Sequence, residues 1–204
     1  MFLRQFKSGA GANMSYIVAE GPGGAGGVID PTGDLLRIME VIEAEGIRVG
    51  FILTTHGHPD HTFGNGKLAA DTGAKIAAHR LAGIKKDLPL DDGTVIKIGT
   101  LEVRVIHTPG HTRDSVCFLV GKKLFTGDTL FVGECGRTDM PGGDAGALYD
   151  SLFNKLMKLP DDTEVYPGHD YGTRPTSTIG QERKTNYVLE KRTREEFIEF
   201  MAEP

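Results

Sequence analysis

Residues 51–65 read FILTTHGHPDHTFGN. Read with the preceding Arg48, Val49 and Gly50, the apolar residues of its first part are continuous rather than alternating. That is the pattern of a strand buried on both faces, and such strands belong to parallel sheets covered by helices. The second part is polar and unusually rich in one residue type. Three of the seven histidines in the chain, His56, His58 and His61, fall within six residues, with Asp60 among them. In an extended loop His56 and His58 can aim both imidazoles to one side. Pro59 forces a turn, so that Asp60 and His61 can address a neighbouring position. Neutral imidazole and carboxylate are borderline-to-hard ligands, suited to zinc, iron or manganese.

A metal centre built on this loop needs further ligands from distant parts of the chain, at the ends of strands. Three positions qualify. His111 lies in TPGHTRDS (108–115), in a glycine-containing loop between two apolar runs; Asp128 ends KLFTGD (123–128); His169 ends TEVYPGH (163–169). Each is a ligand-type residue at the close of a strand pattern, and three in series after HGHPDH make a strong signal.

The rest of the chain supplies alternating sheet and helix. FLRQF (2–6), MSYIVAE (14–20) and GGVIDP (26–31) read as strands, the first two separated by a Gly/Ala/Asn turn. In 34–46 the residues Leu35, Ile38, Met39 and Ile42 recur at helical spacing up to Gly46. NGKLAADTG (65–73) reads as a short helix and AKIAAH (74–79) as a strand. From 93 to 127 the pattern is all strand. A second amphipathic helix over 144–160 is closed by Pro160, and TEVYPGH is another strand. Two terminal helices open with capping-box patterns, Thr178 with Gln181 and Thr193 with Glu196. This order of elements predicts an α/β sandwich of two sheets flanked by helices, in one domain over residues 1–204.

Composition narrows the function classes. The net charge of −5 and the pI of about 5.8 give no electrostatic footprint for nucleic acid. No apolar run approaches the ~18 residues that span a bilayer. The start, MFLRQFKSGAG, has no apolar core of a secretory signal, so the expected location is the cytoplasm. The two cysteines, Cys117 and Cys135, form no CxxC and suggest neither a disulfide framework nor a thiolate zinc site.

The series THGHPDH, PGHT, FTGD and PGH resembles the metallo-β-lactamase superfamily over nearly the whole chain. That resemblance implies an αββα sandwich of two mixed β-sheets with the metal site at one edge of both. It implies that His56, His58 and His111 bind a first metal, that Asp60, His61 and His169 bind a second, and that Asp128 bridges them. Two divalent ions, zinc before iron or manganese, are the implied cofactors. Within the superfamily, secreted antibiotic hydrolases usually carry a cysteine where Asp128 stands, and diiron flavoproteins carry a glutamate where His58 stands. The nuclease branches add a large inserted domain or a basic arm, and this chain has neither.

Two glutathione-linked groups remain. THGHPDHTFGN and the compact length resemble the glyoxalase II group, hydrolases of acyl-glutathione thioesters, in which hydroxide formed between two metals attacks the carbonyl and Asp60 orients it. CGRTD (135–139), HDYG (169–172), STIGQE (177–182) and REEFIEFM resemble the persulfide dioxygenases, which use one iron on His56, His111 and Asp128. Another esterase of the fold, or a metal-binding protein without turnover, are further alternatives. The expected partner is a small glutathione-like thiol conjugate, with no nucleic acid and no membrane, bound to a monomer or homodimer.

Arg137 is a candidate clamp for a substrate carboxylate, with an Arg137–Asp139 salt bridge as the competing reading. Tyr171 and Arg174 are candidate pocket-wall residues. His107 and His79 are expected to serve as supporting or core histidines. Asp30 is expected either to hydrogen-bond the ligand loop or to form a turn before Pro31. Cys135 could contact a thiol substrate or be a small buried thiol.

Overall fold

Alternation along the second strand shows how the layers are stacked. Met14, Tyr16 and Val18 pack into one apolar cluster, whereas Ile17 and Ala19 pack into another. The strand is therefore buried on both sides, once against a second sheet and once against helices. The computed structural model describes residues 1–9 and 12–203. The turn expected between the first two strands falls partly on residues 10 and 11, outside the described residues.

The first sheet contains β1 (Phe2–Ser8), β2 (Asn13–Ala19), β3 (Ala25–Ile29), β4 (Arg48–Thr54), β5 (Lys75–His79) and β6 (Leu88–Leu90), in that spatial order. Pairing is antiparallel from β1 to β3 and parallel from β3 to β6. The second sheet comprises β7 (Val95–Ile98), β8 (Leu101–His107), β9 (Val116–Val120), β10 (Lys123–Gly127), β13 (Glu164–Pro167) and β14 (Ser177–Thr178). Its order is β14-β13-β10-β9-β8-β7, with β10 and β13 parallel. A small hairpin, β11 (Leu130–Phe131) with β12 (Glu134–Cys135), stands apart. Both large sheets are mixed, as expected.

Between the sheets, Tyr16, Phe118, Phe125 and Tyr166 meet Val18, Leu53, Val103 and Val105. Each fully buried ring or branched chain there contributes about 1.5–3 kcal/mol. The outer face of the first sheet is covered by α1 (Leu35–Ala44) and α3 (Asn65–Thr72). The predicted stripe Leu35, Ile38, Met39, Ile42 packs on Ile17, Val28 and Ile52. The outer face of the second sheet is covered by α4 (Ala145–Tyr149), α5 (Ile179–Thr185) and α6 (Arg194–Ala202), through Leu148, Leu152, Leu156, Ile179 and Phe197. The result is an αββα sandwich.

Three expectations need correction. The helix read over 144–160 is α-helical only to Tyr149, continues as a π turn over Asp150–Lys155, and ends in a 3₁₀ turn at Leu156–Lys158. The helix read over 178–189 breaks at Asn186 into α5 and a 3₁₀ turn. At its start Thr178 Oγ1 accepts from Gln181 N, but the Gln181 side chain accepts nothing from the Thr178 N–H and instead donates its amide to Thr185 Oγ1, so only half of the box forms. The Thr193–Glu196 box is complete.

Candidate metal centre

β4 ends at Thr54, and the chain turns along the edge shared by the two sheets. Pro59 occupies the first position of a single helical turn, α2 (Pro59–Thr62), which carries Asp60 and His61. His56 and His58 precede it in extended chain. From the second sheet come His111, in the β8–β9 loop, Asp128, immediately after β10, and His169, two residues after β13. All seven sequence-predicted side chains are thus brought to one place.

Their atoms fall into overlapping groups. His56 Nε2 and His111 Nε2 each lie 3.0 Å from His58 Nδ1. His61 Nε2 is 3.2 Å from His169 Nε2, and Asp60 Oδ2 is 3.6 and 3.5 Å from these two nitrogens. Asp128 faces both groups: Oδ1 lies 3.3 Å from His61 Nε2, and Oδ2 lies 3.4 Å from His169 Nε2 and 3.6 Å from His111 Nε2. Such spacings match the ~3.3 Å edge of a tetrahedron of ligands ~2.0–2.1 Å from a zinc-sized ion. The trio His56, His58 and His111 and the trio Asp60, His61 and His169 could each hold an ion.

The surrounding hydrogen bonds set the tautomers that ligation requires. His111 donates from Nδ1 to the Arg137 carbonyl at 2.8 Å, leaving Nε2 to face the centre. Asp30 does the same for two other histidines. Its Oδ2 accepts from His61 Nδ1 at 3.0 Å and from the Thr55 hydroxyl at 2.5 Å, while its Oδ1 accepts from Thr55 N. The Thr55 oxygen, its proton committed to Asp30, lies 3.2 Å from His56 Nδ1 and accepts from it. Asp30 has φ of +44° and is fully buried, so its conformation is held by these contacts. Of its two expected roles, the bond to the ligand loop is the one observed.

Charge follows the same plan. Burial, then the neighbouring His61, pushes His56 well below the usual imidazole range, and burial with His111 lowers His58. The His169 hydrogen bond holds the Asp60 carboxyl well below the usual carboxylate range. Burial opposes ionisation of Asp128 most strongly, yet His61 and His169 hold that carboxyl well below its ordinary value. Burial likewise opposes a charged His61, but Asp128 and Asp30 raise it well above the ordinary value. Holding a cation at this position would displace that proton. Asp128 Oδ1 is buried without a hydrogen-bond partner among the described residues, which suits an oxygen aimed at a cation.

Some contributors carried no sequence signal. Asn13 Nδ2 donates to both Asp60 Oδ2 and Asp60 O, at 3.0 and 3.1 Å, and nothing marks this asparagine in the sequence. The Asp114 carboxylate accepts from Gly57 N at 2.7 Å. Phe131, also unmarked in the sequence, sets its ring edge-on to His169, whereas Tyr171, already a candidate from the sequence, stacks on His169 with centroids 4.7 Å apart. His79 and His107 stack on each other away from the seven, as supporting residues.

A recess of about 200 Å³ opens beside His111 and Asp128, walled by Phe131, Gly136, Arg137 and Tyr171. The Arg137 guanidinium forms a forked ion pair with Asp139, so the salt-bridge reading is the one observed, although Arg137 remains on the rim. Arg174 lies on a different hollow of about 530 Å³, which shares Tyr171 and Glu134 with the recess. Cys135 is a buried thiol at the recess wall, raised by burial.

Comparison with known proteins adds a decisive observation: the family model of the metallo-beta-lactamase superfamily matches residues 8–86 and 80–169, a span enclosing all seven side chains. The chain belongs to this superfamily. Among superfamily relatives, a hydroxyacylglutathione hydrolase of Polaromonas sp. is 41% identical over 168 residues, 78% of this chain. The chain spans only 62% of that hydrolase's length. The Homo sapiens mitochondrial persulfide dioxygenase ETHE1 is 34% identical over 206 residues, covering 99% of this chain and 81% of the dioxygenase. The crystal structure of ETHE1 from Myxococcus xanthus superposes with a TM-score of 0.94 at 34% identity, covering 100% of this chain and 92% of that one. No helix among the described residues is long and apolar enough to cross a membrane.

Proposed function

We propose that this superfamily member is a metal-dependent hydrolase of the glyoxalase II type, cleaving an acyl-glutathione or similar thioester. The observation that carries this reading is the second trio, Asp60, His61 and His169, complete beside the first, with Asp128 facing both. In this reading His56, His58 and His111 would hold one divalent ion and Asp60, His61 and His169 the other, with Asp128 available to both. The nitrogen and oxygen donors suit zinc first, with iron or manganese also fitting. A pair of such ions supplies acidified water and polarisation of the thioester carbonyl.

The chain's own groups do the remaining work. Asp60 stays ionised under the influence of His169, His61 and Asn13, and its half-exposed carboxylate can accept a hydrogen bond from water and so orient it. Tyr171 and Phe131 form an apolar wall over His169 that limits water at the reacting carbonyl. Arg137, Tyr171 and, further out, Arg174 are the groups we assign to the polar end of the thiol carrier. A cytoplasmic setting and a monomeric or homodimeric state belong to the same proposal.

A second reading is favoured by the likeness to ETHE1 over the whole chain: a mononuclear iron persulfide dioxygenase, its metal on His56, His111 and Asp128. Metal analysis with two substrate assays separates them. The hydrolase reading expects two metals per chain, hydrolysis of S-lactoylglutathione, and a loss of about 100-fold or more in kcat for Asp60→Ala. Hydrolysis by Asp60→Ala at the wild-type rate overturns it. One iron per chain and O2 uptake with glutathione persulfide, without thioester cleavage, establishes the second.

A further inference from the structure

We infer that Asp114 is a positioning residue for the first metal position, fixing His56 and His58 relative to His111 through the Gly57 N–H. The inference rests on the reading of those three histidines as one ligand set. Backbone pairing between the sheets stops just short of them: Val116 N donates to Thr55 O at 2.8 Å. Two residues further along the ligand loop, the Gly57 N–H donates instead to Asp114 Oδ2 at 2.7 Å. A side-chain carboxylate thereby supplies the next rung, at the residue that separates His56 from His58.

The approach is close. A Cβ on Gly57 would stand 3.2 Å from Asp114 Oδ2. Asp114 also belongs to the segment that presents His111, and that segment is internally braced. Gly110 N donates to Thr112 O at 3.1 Å, and the Thr112 and Ser115 hydroxyls are 2.7 Å apart. From outside, the His107 ring donates from Nε2 to the Arg113 carbonyl at 2.9 Å and stacks on His79. The carboxylate of Asp114 therefore references a two-histidine loop from the first sheet to a one-histidine loop from the second. The spacing it maintains is the 3.0 Å between His58 Nδ1 and His111 Nε2. Hydrogen-bonded groups that orient ligands without touching the metal typically change affinity by about 10- to 100-fold when removed.

The test is zinc titration of the metal-free chain in competition with a chromophoric chelator, for wild type, His111→Ala, Asp114→Ala and Asp114→Asn. His111→Ala identifies the first position as the one it abolishes. Asp114→Ala is expected to weaken that position about 10- to 100-fold. Asp114→Asn, whose amide oxygen still accepts from Gly57 N, is expected to restore most of the affinity. Should alanine at 114 lower the metal-free melting temperature, Asp114→Ser, too short to reach Gly57, replaces it in the comparison. Wild-type affinity in the shortened variant overturns the inference, and so does an equal loss in the asparagine variant, which would assign the effect to charge. Wild-type affinity in His111→Ala overturns the ligand reading itself, a result distinct from the other two.

Discussion

Asp30 sets the proton positions of two histidines at once, directly on His61 and through Thr55 on His56. Asp30→Asn is nearly isosteric and tolerates the positive φ, but places an N–H donor where Oδ2 accepts. His61 Nδ1 must then accept, and its proton moves to Nε2, the atom facing Asp128. On the two-metal reading, metal content of the purified variant is expected to fall from two toward one, with affinity at the second position down about 10- to 100-fold. Equal metal content in Asp30→Asn and wild type would contradict the tautomer account. Gly168 is needed for a different reason. A Cβ there would lie 2.3 Å from Asp128 Oδ1 and 2.9 Å from His61 Cε1. Gly168→Ala is therefore expected to displace the carboxylate between the two positions and to lower metal occupancy at both, as read by elemental analysis. Normal occupancy would show that the loop can retreat.

Elements differ in how plainly the sequence announced them. β4, α1 and the strand ends at Asp128 and His169 were legible, because long apolar runs and a 3.6-residue stripe average out local noise. The β11–β12 hairpin was not: two residues per strand give no period to detect, and its place is set by distant contacts such as Gly133 N to Glu182 Oε2 at 2.7 Å. The π turn at Asp150–Lys155 was also hidden. It presents Ser151, whose hydroxyl donates to the Pro109 carbonyl at 2.6 Å and so braces the loop carrying His111. Asn13 and Asp114 escaped notice because a single polar residue acquires meaning only when the fold brings its partner near. The two capping patterns, Thr178 with Gln181 and Thr193 with Glu196, make the same point with similar spacing and different outcomes. Thr193→Ala removes the anchor of a complete box and is expected to cost about 1 kcal/mol in denaturant unfolding. Gln181→Ala removes no capping bond and is expected to change stability by less; a larger effect would mean that the Gln181–Thr185 contact matters more than the geometry indicates.

At the scale of the molecule, the two sheets are stitched together at the edge that carries the centre. Tyr16 on β2 donates from its hydroxyl to Pro167 O at 2.6 Å, Met14 N donates to Gly168 O at 2.8 Å, and Asn13 bridges to His169. The Tyr16 ring meanwhile sits in the apolar core against Phe125 and Tyr166. Tyr16→Phe keeps that packing and leaves the buried Pro167 carbonyl without its side-chain donor, at a cost of about 1–3 kcal/mol. Because Pro167 leads into His169, the metal-loaded form is expected to lose more stability than the metal-free form. Equal losses in the two forms, measured by thermal unfolding, would separate the stitch from the centre.

The division of the seven side chains between the layers has a thermodynamic consequence. Four stand on the loop after β4 in the first sheet, and three follow strands of the second. Neither sheet alone can satisfy a cation, so ions that occupy the centre act as a clasp whose two jaws are the halves of the sandwich. Occupancy and closure then become linked equilibria: each tenfold rise in free metal above the dissociation constant adds about 1.4 kcal/mol per site to the folded state. On this reading a chelator would act as a denaturant on one edge of the molecule, and the concentration of free metal would set how firmly the two sheets are held together.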